Sequence, residues 1–141
     1  MMQNQDNPYH PLVWINGSPE IGDGTYIGGF SEINAKGARV RIGCQCDIAS
    51  FVAINCADSH LKTIGLEEAA VLRDIVIGDS VFIGSHSVIL GGVELGNRCV
   101  VAAGTVLRAC KVPPMSLVVG NPPIVKEGYY REHLSLKGIR E

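Results

Sequence analysis

Asp58 and His60 are the pair of side chains whose types and spacing best suit chemistry. They close the segment Asn55-Cys56-Ala57-Asp58-Ser59-His60. An imidazole ordinarily titrates near pH 6.5, which suits the removal of a proton at about neutral pH. A carboxylate two residues away either orients the imidazole or caps a turn. His60 is therefore a candidate general base, with a surface histidine in a loop as the alternative, and both roles stay open for Asp58.

Metal and disulfide chemistry is not expected from the remaining residues. The chain has four histidines, His10, His60, His86 and His133. It has five cysteines, an odd number, with no C-x-x-C pair among them. This pattern favours reduced cysteines that pack as small apolar side chains, and it predicts no metal site.

The composition indicates one globular domain over residues 1–141. Hydrophobic residues make up 46% of the chain, charged residues make up 18%, and the formal net charge is −2. Such a balance gives no bulk attraction to nucleic acid or to an anionic membrane. No apolar run approaches the roughly 20 residues of a membrane span. The polar start, Met1 to Tyr9, lacks the pattern of a signal peptide, so a cytoplasmic location is predicted.

The residues that must position His60 form a repeat of six. Aliphatic residues recur at every sixth position in three runs: Ile15, Ile21, Ile27, Ile33; Ile42, Ile48, Ile54; and Ile77, Ile83, Ile89, Leu95, Val101, Leu107. Small or β-branched residues stand four positions after most of them: Thr25, Ser31, Cys46, Val52, Val81, Ser87, Val93, Cys99 and Thr105. A period of six fits neither an α-helix nor a β-sandwich strand, whose period is two. It predicts an all-β fold, a parallel β-helix whose coils have three flat faces.

Two irregularities set the expected boundaries. The frame is lost between Ile54 and Ile77, so the segment of about 60–74 is predicted to project as a loop. Val112-Pro113-Pro114 is expected to stop the strand ladder. These signals place the β-helix at about 15–110, with a little over four coils. The tail of about 112–141 is expected to be short and in part helical.

Five further motifs complete a resemblance to a known family. They are Ile77-Gly78-Asp79, Ile83-Gly84-Ser85-His86, Gly91-Gly92-Val93-Glu94-Leu95-Gly96, Ala102-Ala103-Gly104-Thr105, and Val112-Pro113-Pro114 followed by Gly120-Asn121-Pro122. With the repeat, they resemble the hexapeptide-repeat acyltransferases, especially the small galactoside and maltose acetyltransferases. The resemblance implies a left-handed β-helix, acetyl-CoA as co-substrate, and a homotrimer with active sites between neighbouring subunits.

The same resemblance assigns roles at the site. It places the catalytic histidine at His60. It makes the backbone N–H of Ser85 the oxyanion donor, and it brings the amide of Ala103, 18 residues later, to the pantetheine arm. His86 is interpreted as a cleft-lining or solvent-facing residue at a corner of the coil.

The contacts to phosphate and acceptor are expected at less regular positions. Arg108, Lys111 and Lys126 are the basic residues available for the phosphates of the cofactor. Arg108-Ala109-Cys110-Lys111 departs from the usual family pattern there, and Ile124 stands where an arginine is common. For the acceptor, a sugar or nucleotide-linked sugar, the candidates are Glu32, Asn34 and Asn55.

Two other functions share the predicted fold. A γ-class carbonic anhydrase needs three histidine ligands, and this chain has Ser85 and Leu90 where that family carries two of them. A β-helix that serves only as an assembly scaffold needs neither a base nor a cofactor groove. The sequence leaves O-acetylation and N-acetylation equally open.

Overall fold

The computed structural model describes Tyr9 and residues 11–140. Within that range the backbone winds through five coils, and each coil carries one strand on each of three faces. The residues before Tyr9, together with His10, lie outside the described residues.

Each face is a parallel sheet made of one strand from every coil. Face A consists of β1 (Trp14–Gly17), β4 (Glu32–Ala35), β7 (Ala53–Asn55), β12 (Val88–Leu90) and β15 (Val106–Leu107). Face B consists of β2 (Glu20–Ile21), β5 (Val40–Ile42), β10 (Ile75–Ile77), β13 (Val93–Leu95) and β16 (Cys110–Val112). Face C consists of β3 (Tyr26–Ile27), β6 (Asp47–Ile48), β11 (Phe82–Ile83), β14 (Val100–Val101) and β17 (Leu117–Val119).

The aliphatic track of the repeat fills the interior of these coils. Ile33 pairs with Ile54, which pairs with Ile89, so like residues stack from coil to coil along face A. All three are fully buried, as are their counterparts on the other faces. Only Ile15 and Ile21, in the first coil, are half-buried. The left-handed parallel β-helix predicted from the sequence is confirmed.

The second track of small residues ties neighbouring coils together at the corners. Ser31 donates its hydroxyl to the carbonyl of Ala49 at 2.8 Å and accepts the N–H of Val52 at 3.1 Å. Thr25 does the same with Gly43 and Cys46, one coil above. No buried side-chain nitrogen or oxygen of the described residues lacks a partner. A hydroxyl at this position thus offsets the cost of burying backbone groups at a corner.

The ladder does not stop at Val112-Pro113-Pro114, so that expectation from the sequence is wrong. β16 pairs with β13, and after the two prolines β17 pairs with β14. The two prolines lie in a corner between strands, so no hydrogen bond of the strand ladder is lost because they have no N–H group. The repeat therefore closes a complete fifth coil, in place of a little over four, and its core includes Val112 and Val118.

One segment leaves the coils and another covers their end. Between β7 and β10 the chain forms β8 (Ala57–Asp58), α1 (His60–Thr63) and β9 (Val71–Leu72), and β8 pairs with β9 in antiparallel fashion. This segment, from Ala57 to Leu72, is called the excursion here, and it begins three residues before the predicted loop.

The tail of the chain follows the last coil. After β17, β18 (Ile124–Lys126) turns back antiparallel on face C, and α2 (Arg131–Leu136) follows. In the described part of the chain, no helix has the length and apolarity needed to span a bilayer.

We predict that Val118→Ala lowers the free energy of unfolding by about 2 kcal/mol, because the side chain is fully buried in the fifth coil. The matched control is Val119→Ala, in the same strand but 38% exposed, which should cost less than about 0.5 kcal/mol. Urea unfolding at one protein concentration measures both. Equal effects would show that the fifth coil is not part of the core.

Candidate active site at the excursion

The excursion places His60 beside the corner between face A and face B. Pairing of Ala57 with Leu72 and of Asp58 with Val71 holds its two arms together. His60 is then the first residue of α1, a single turn. Thr63 closes that turn by donating both its N–H and its hydroxyl to the carbonyl of Ser59, at 2.9 and 2.8 Å.

Asp58 and His60 contact each other directly. The carboxylate Oδ1 of Asp58 meets the Nδ1 atom of His60, and both side chains are exposed. This hydrogen bond is the main reason why the pKa of Asp58 is lowered, and the positive charge of Arg108 adds a smaller effect. A carboxylate acceptor at Nδ1 selects the tautomer that carries its proton there, which leaves the Nε2 lone pair free. Of the two roles left open for Asp58, the structure places it as the partner of the imidazole.

Asn55 connects this pair to the coils. Its Oδ1 accepts the N–H of Ala57 at 3.0 Å, which fixes the point where the excursion leaves face A. The same oxygen accepts the side-chain N–H of Asn34, one coil below, at 2.9 Å. The two asparagines therefore form a ladder that ends at the start of the excursion.

An open cavity of about 740 Å³ lies in front of His60. Asn55, Asp58, Leu90 and Arg108 line it together with His60. Leu90 belongs to the coil above Asn55, and Arg108 directly follows β15, so the cavity extends along the edge of face A. Glu32 does not line it. That residue is exposed on face A, two positions before Asn34, and it pairs with Trp14 and Ala53.

Ser85 and Ala103 lie at the opposite edge of face A, where face C turns into it. Gly104 donates its N–H to the carbonyl of Ser85 at 2.9 Å, which stacks the two corners. A Cβ on Gly84 would lie only 2.5 Å from the nitrogen of Ala103, so glycine is needed for this close approach. Among the described residues, neither the N–H of Ser85 nor that of Ala103 finds a protein acceptor. Two amide donors without an acceptor among the described residues therefore stand at this edge, 18 residues apart.

An aromatic stack runs down the same edge. The rings of Phe30 and Phe51 lie 5.2 Å apart, and Phe51 lies 5.1 Å from the imidazole of His86, with nearly parallel planes. All three residues adopt positive φ at successive corners. His86 is thus an exposed corner residue, held by Phe51.

A single chain does not bring His60 and Ser85 together. Ser85 stands five residues before Leu90, which lines the cavity of His60. Ser85 itself does not line that cavity, and the strand β12 (Val88–Leu90) separates the two corners. The general base and the oxyanion donor predicted from the sequence therefore belong to two separate edges of one face.

The three predicted phosphate contacts are also dispersed. Arg108 lies in the cavity of His60. Lys111 points outward from face B, 4.0 Å from the carboxylate of Glu94. Lys126 belongs to β18 and lies over the ring of Tyr129, 5.6 Å from its centre. No group of three or more His, Cys, Asp or Glu side chains in the described residues is arranged to hold a metal ion.

Arg73 was not among the site residues predicted from the sequence. This residue follows β9 and lines a smaller cavity that adjoins that of His60. The only signal in the sequence was a basic residue at the end of the break in the repeat, and a single charge in a loop is more often solvated.

Comparison with known proteins agrees with this architecture. The family model described as "Bacterial transferase hexapeptide (six repeats)" matches residues 74–109. The chain is 32% identical to the hexapeptide-repeat acetyltransferase VCA0836 of Vibrio cholerae, with a TM-score of 0.74, over 83% of this chain and 67% of that one. The protein VCA0836 has also been solved in complex with acetyl coenzyme A.

Two further relatives share less of their length. A galactoside acetyltransferase solved in complex with coenzyme A is 27% identical, with a TM-score of 0.62, over 86% of this chain and 66% of that one. The bifunctional protein GlmU of Streptococcus equi subsp. zooepidemicus is 32% identical over 127 residues, which is 84% of this chain. The chain spans only about a quarter of that protein, 26% of its length.

We predict that His60→Ala raises the pKa of Asp58 by more than Arg108→Gln does, because the imidazole is the larger cause of its depression. A depressed carboxylate pKa means that the contact stabilises the folded chain above the ordinary aspartate value of about 3.9. That stabilisation is lost as the pH falls through the lowered value. Carboxyl ¹³C chemical shifts followed against pH measure both variants. A larger shift in Arg108→Gln would contradict the Asp58–His60 pairing.

Proposed function

Because this chain belongs to the hexapeptide-repeat acetyltransferases, we propose that it moves an acetyl group from acetyl-CoA to a hydroxyl or amine of a sugar or nucleotide-linked sugar. The observation that carries the proposal is the Asp58–His60 pair, which faces an open cavity with one imidazole nitrogen free. A scaffold protein has no use for an imidazole oriented in this way. A cytoplasmic location is part of the proposal, since acetyl-CoA is an intracellular co-substrate.

The chemical step needs a base on one side of the thioester and donors on the other. The Nε2 atom of His60 accepts the proton of the acceptor hydroxyl or amine as it attacks the thioester carbonyl carbon. The negative charge that forms on the carbonyl oxygen is stabilised by the N–H of Ser85. The carbon–sulfur bond then breaks, and the leaving thiolate takes the proton from the imidazolium of His60. Asp58 remains ionised and stabilises that imidazolium.

This scheme requires His60 and Ser85 to act on the same thioester, which happens only if two copies of the chain lie side by side. A homotrimer places the His60 edge of one subunit against the Ser85 and Ala103 edge of the next, in a closed ring of like contacts. Large apolar side chains on the outward surfaces support such a contact, since Trp14 on face A is 37% exposed and Phe82 on face C is 39% exposed.

The acceptor and cofactor contacts complete the proposal. Asn55 lines the cavity and can bind a sugar hydroxyl, and Asn34 holds its amide in place. Glu32 lies on the same face, outside the cavity, as a more distant acceptor contact. The amide of Ala103 binds the pantetheine arm, and Lys111 and Lys126 are the basic residues left for the cofactor phosphates.

We expect His60→Ala to lower kcat by about 10²- to 10⁴-fold, since it removes the base. The release of coenzyme A thiol from acetyl-CoA is measured against a panel of free and nucleotide-linked amino and hydroxy sugars. The matched control is His133→Ala, an exposed histidine on α2, which should retain full activity. Native turnover that survives in His60→Ala would remove His60 as the base. A native protein that neither turns over nor binds acetyl-CoA would favour the scaffold function.

We expect Ser85→Ala to keep kcat within about threefold of the native value, because the backbone N–H is the proposed donor and the variant retains it. The same thiol assay, with a fixed acceptor, measures the effect. A loss as large as that of His60→Ala would instead assign the role to the hydroxyl of Ser85.

A further inference from the structure

A second, smaller cavity of about 180 Å³ adjoins the cavity of His60. The two share Ala57, Asp58, Leu90 and Arg108 in their linings. A ligand in front of His60 therefore has direct access to the smaller cavity, whose remaining lining includes Arg73.

A backbone hydrogen bond fixes the position of Arg73, and two glycines leave room for its side chain. Its N–H donates to the carbonyl of Cys56 at 3.0 Å, directly beside the β8–β9 pairing. A Cβ on Gly91 would lie 2.9 Å from the Cβ of Arg73, and a Cβ on Gly92 would lie 3.5 Å from its Cδ. Since carbon atoms pack at about 3.5 to 4.0 Å, any larger residue at Gly91 would displace the stem of Arg73.

Arg108 approaches the cavity from the fifth coil. Strand β12 pairs with β15, and Ile89 lies opposite Leu107. The same register places Arg108 above Leu90. Its charge acts on the carboxylate of Asp58. Arg73 and Arg108 thus line one small cavity from the excursion and from the coil.

The charges around the cavity are not balanced. Within the described residues, no carboxylate lies within 4.0 Å of the guanidinium of Arg73 or Arg108, whereas Arg39 and Arg41 both pair with Glu20. Asp58 is the one acidic side chain in the lining, and it is already bound to His60. Two arginine residues that line one small cavity suit a carboxylate or a phosphate, because the fork of the guanidinium group matches such groups in two-pronged contacts.

We propose that Arg73 and Arg108 bind an acidic group, a carboxylate or a phosphate, on the acceptor whose hydroxyl or amine faces His60. This inference rests on the proposed function and narrows its acceptor to acidic sugars or sugar phosphates. The phosphates of the cofactor are the other source of such a group. The acceptor is favoured because the cavity adjoins His60 itself, whereas the pantetheine arm separates the cofactor phosphates from the thioester.

Direct binding tests the site without any turnover. D-glucuronate, glucose 1-phosphate and neutral D-glucose are compared by ligand-observed NMR on native protein and on Arg73→Gln. We expect native protein to bind at least one of the acids roughly 10-fold more tightly than glucose, and Arg73→Gln to lose that preference. Arg73→Lys, which keeps the charge without the fork, should retain part of it. The matched control is Arg41→Gln, an exposed arginine on face B, which should behave as native.

Two outcomes would overturn the inference. One is that native protein binds neither acid better than glucose, or that Arg73→Gln binds them equally well. The other is that Arg73→Gln raises KM for acetyl-CoA and leaves acid binding unchanged, which would assign the arginines to the cofactor phosphates. A native protein that prefers the acids through Arg73 but transfers no acetyl group would contradict the proposed function and leave the acid-binding site standing.

Discussion

Each coil of this chain can satisfy the backbone groups of its strands only through the coils above and below it. Strands of two to four residues are too short to be stable alone, and their N–H and C=O groups point along the axis of the stack. Neighbouring coils must therefore keep the same register, which is why Ile33, Ile54 and Ile89 occupy one column. Aliphatic side chains at repeating positions then fill the interior, and on face B the strands β5, β10 and β13 each bury two of them. At the corners, backbone groups lack backbone partners, and the hydroxyls of Thr25 and Ser31 supply the missing hydrogen bonds.

This regularity confines chemistry to the edges of the faces. A side chain within the stack is buried by the next coil, so groups that meet a ligand stand on outward positions, at corners, or on a segment that leaves the coils. The excursion at the edge of face A carries Asp58 and His60, while the corners at its other edge present the amides of Ser85 and Ala103. The strands of face A separate these two sets of groups within one chain, and the proposed homotrimer would bring them together between adjacent copies.

The part of the site that follows the repeat could be predicted, and the part that leaves it could not. Ser85 and Ala103 follow from a spacing of 18 residues, one full coil, and Asn34 and Asn55 stack because their strands share a register. Arg73 has no such spacing, because its position depends on the β8–β9 pairing and on the room left by Gly91 and Gly92. Arg108 was expected at the cofactor phosphates. Its spacing of 18 residues from Leu90 gives its column, but the sequence does not reveal that the excursion brings Asp58 beside that column.

The sequence by itself determined a coil with three faces and the point at which the repeat breaks, because a period of six is a local property that each turn repeats. The choice of His60 as the candidate base came from its residue type and from the family resemblance. It placed the end of the ladder too early, since a proline reads as a ladder breaker unless its corner is known, and Pro113 and Pro114 occupy such a corner. The tertiary structure alone decided that Asp58 meets His60, that the two predicted halves of the site lie at opposite edges of one face, and that two arginines share a cavity beside the base. The second and third of these relations join segments far apart in the chain, and the contact of Asp58 with His60 depends on how α1 turns after β8.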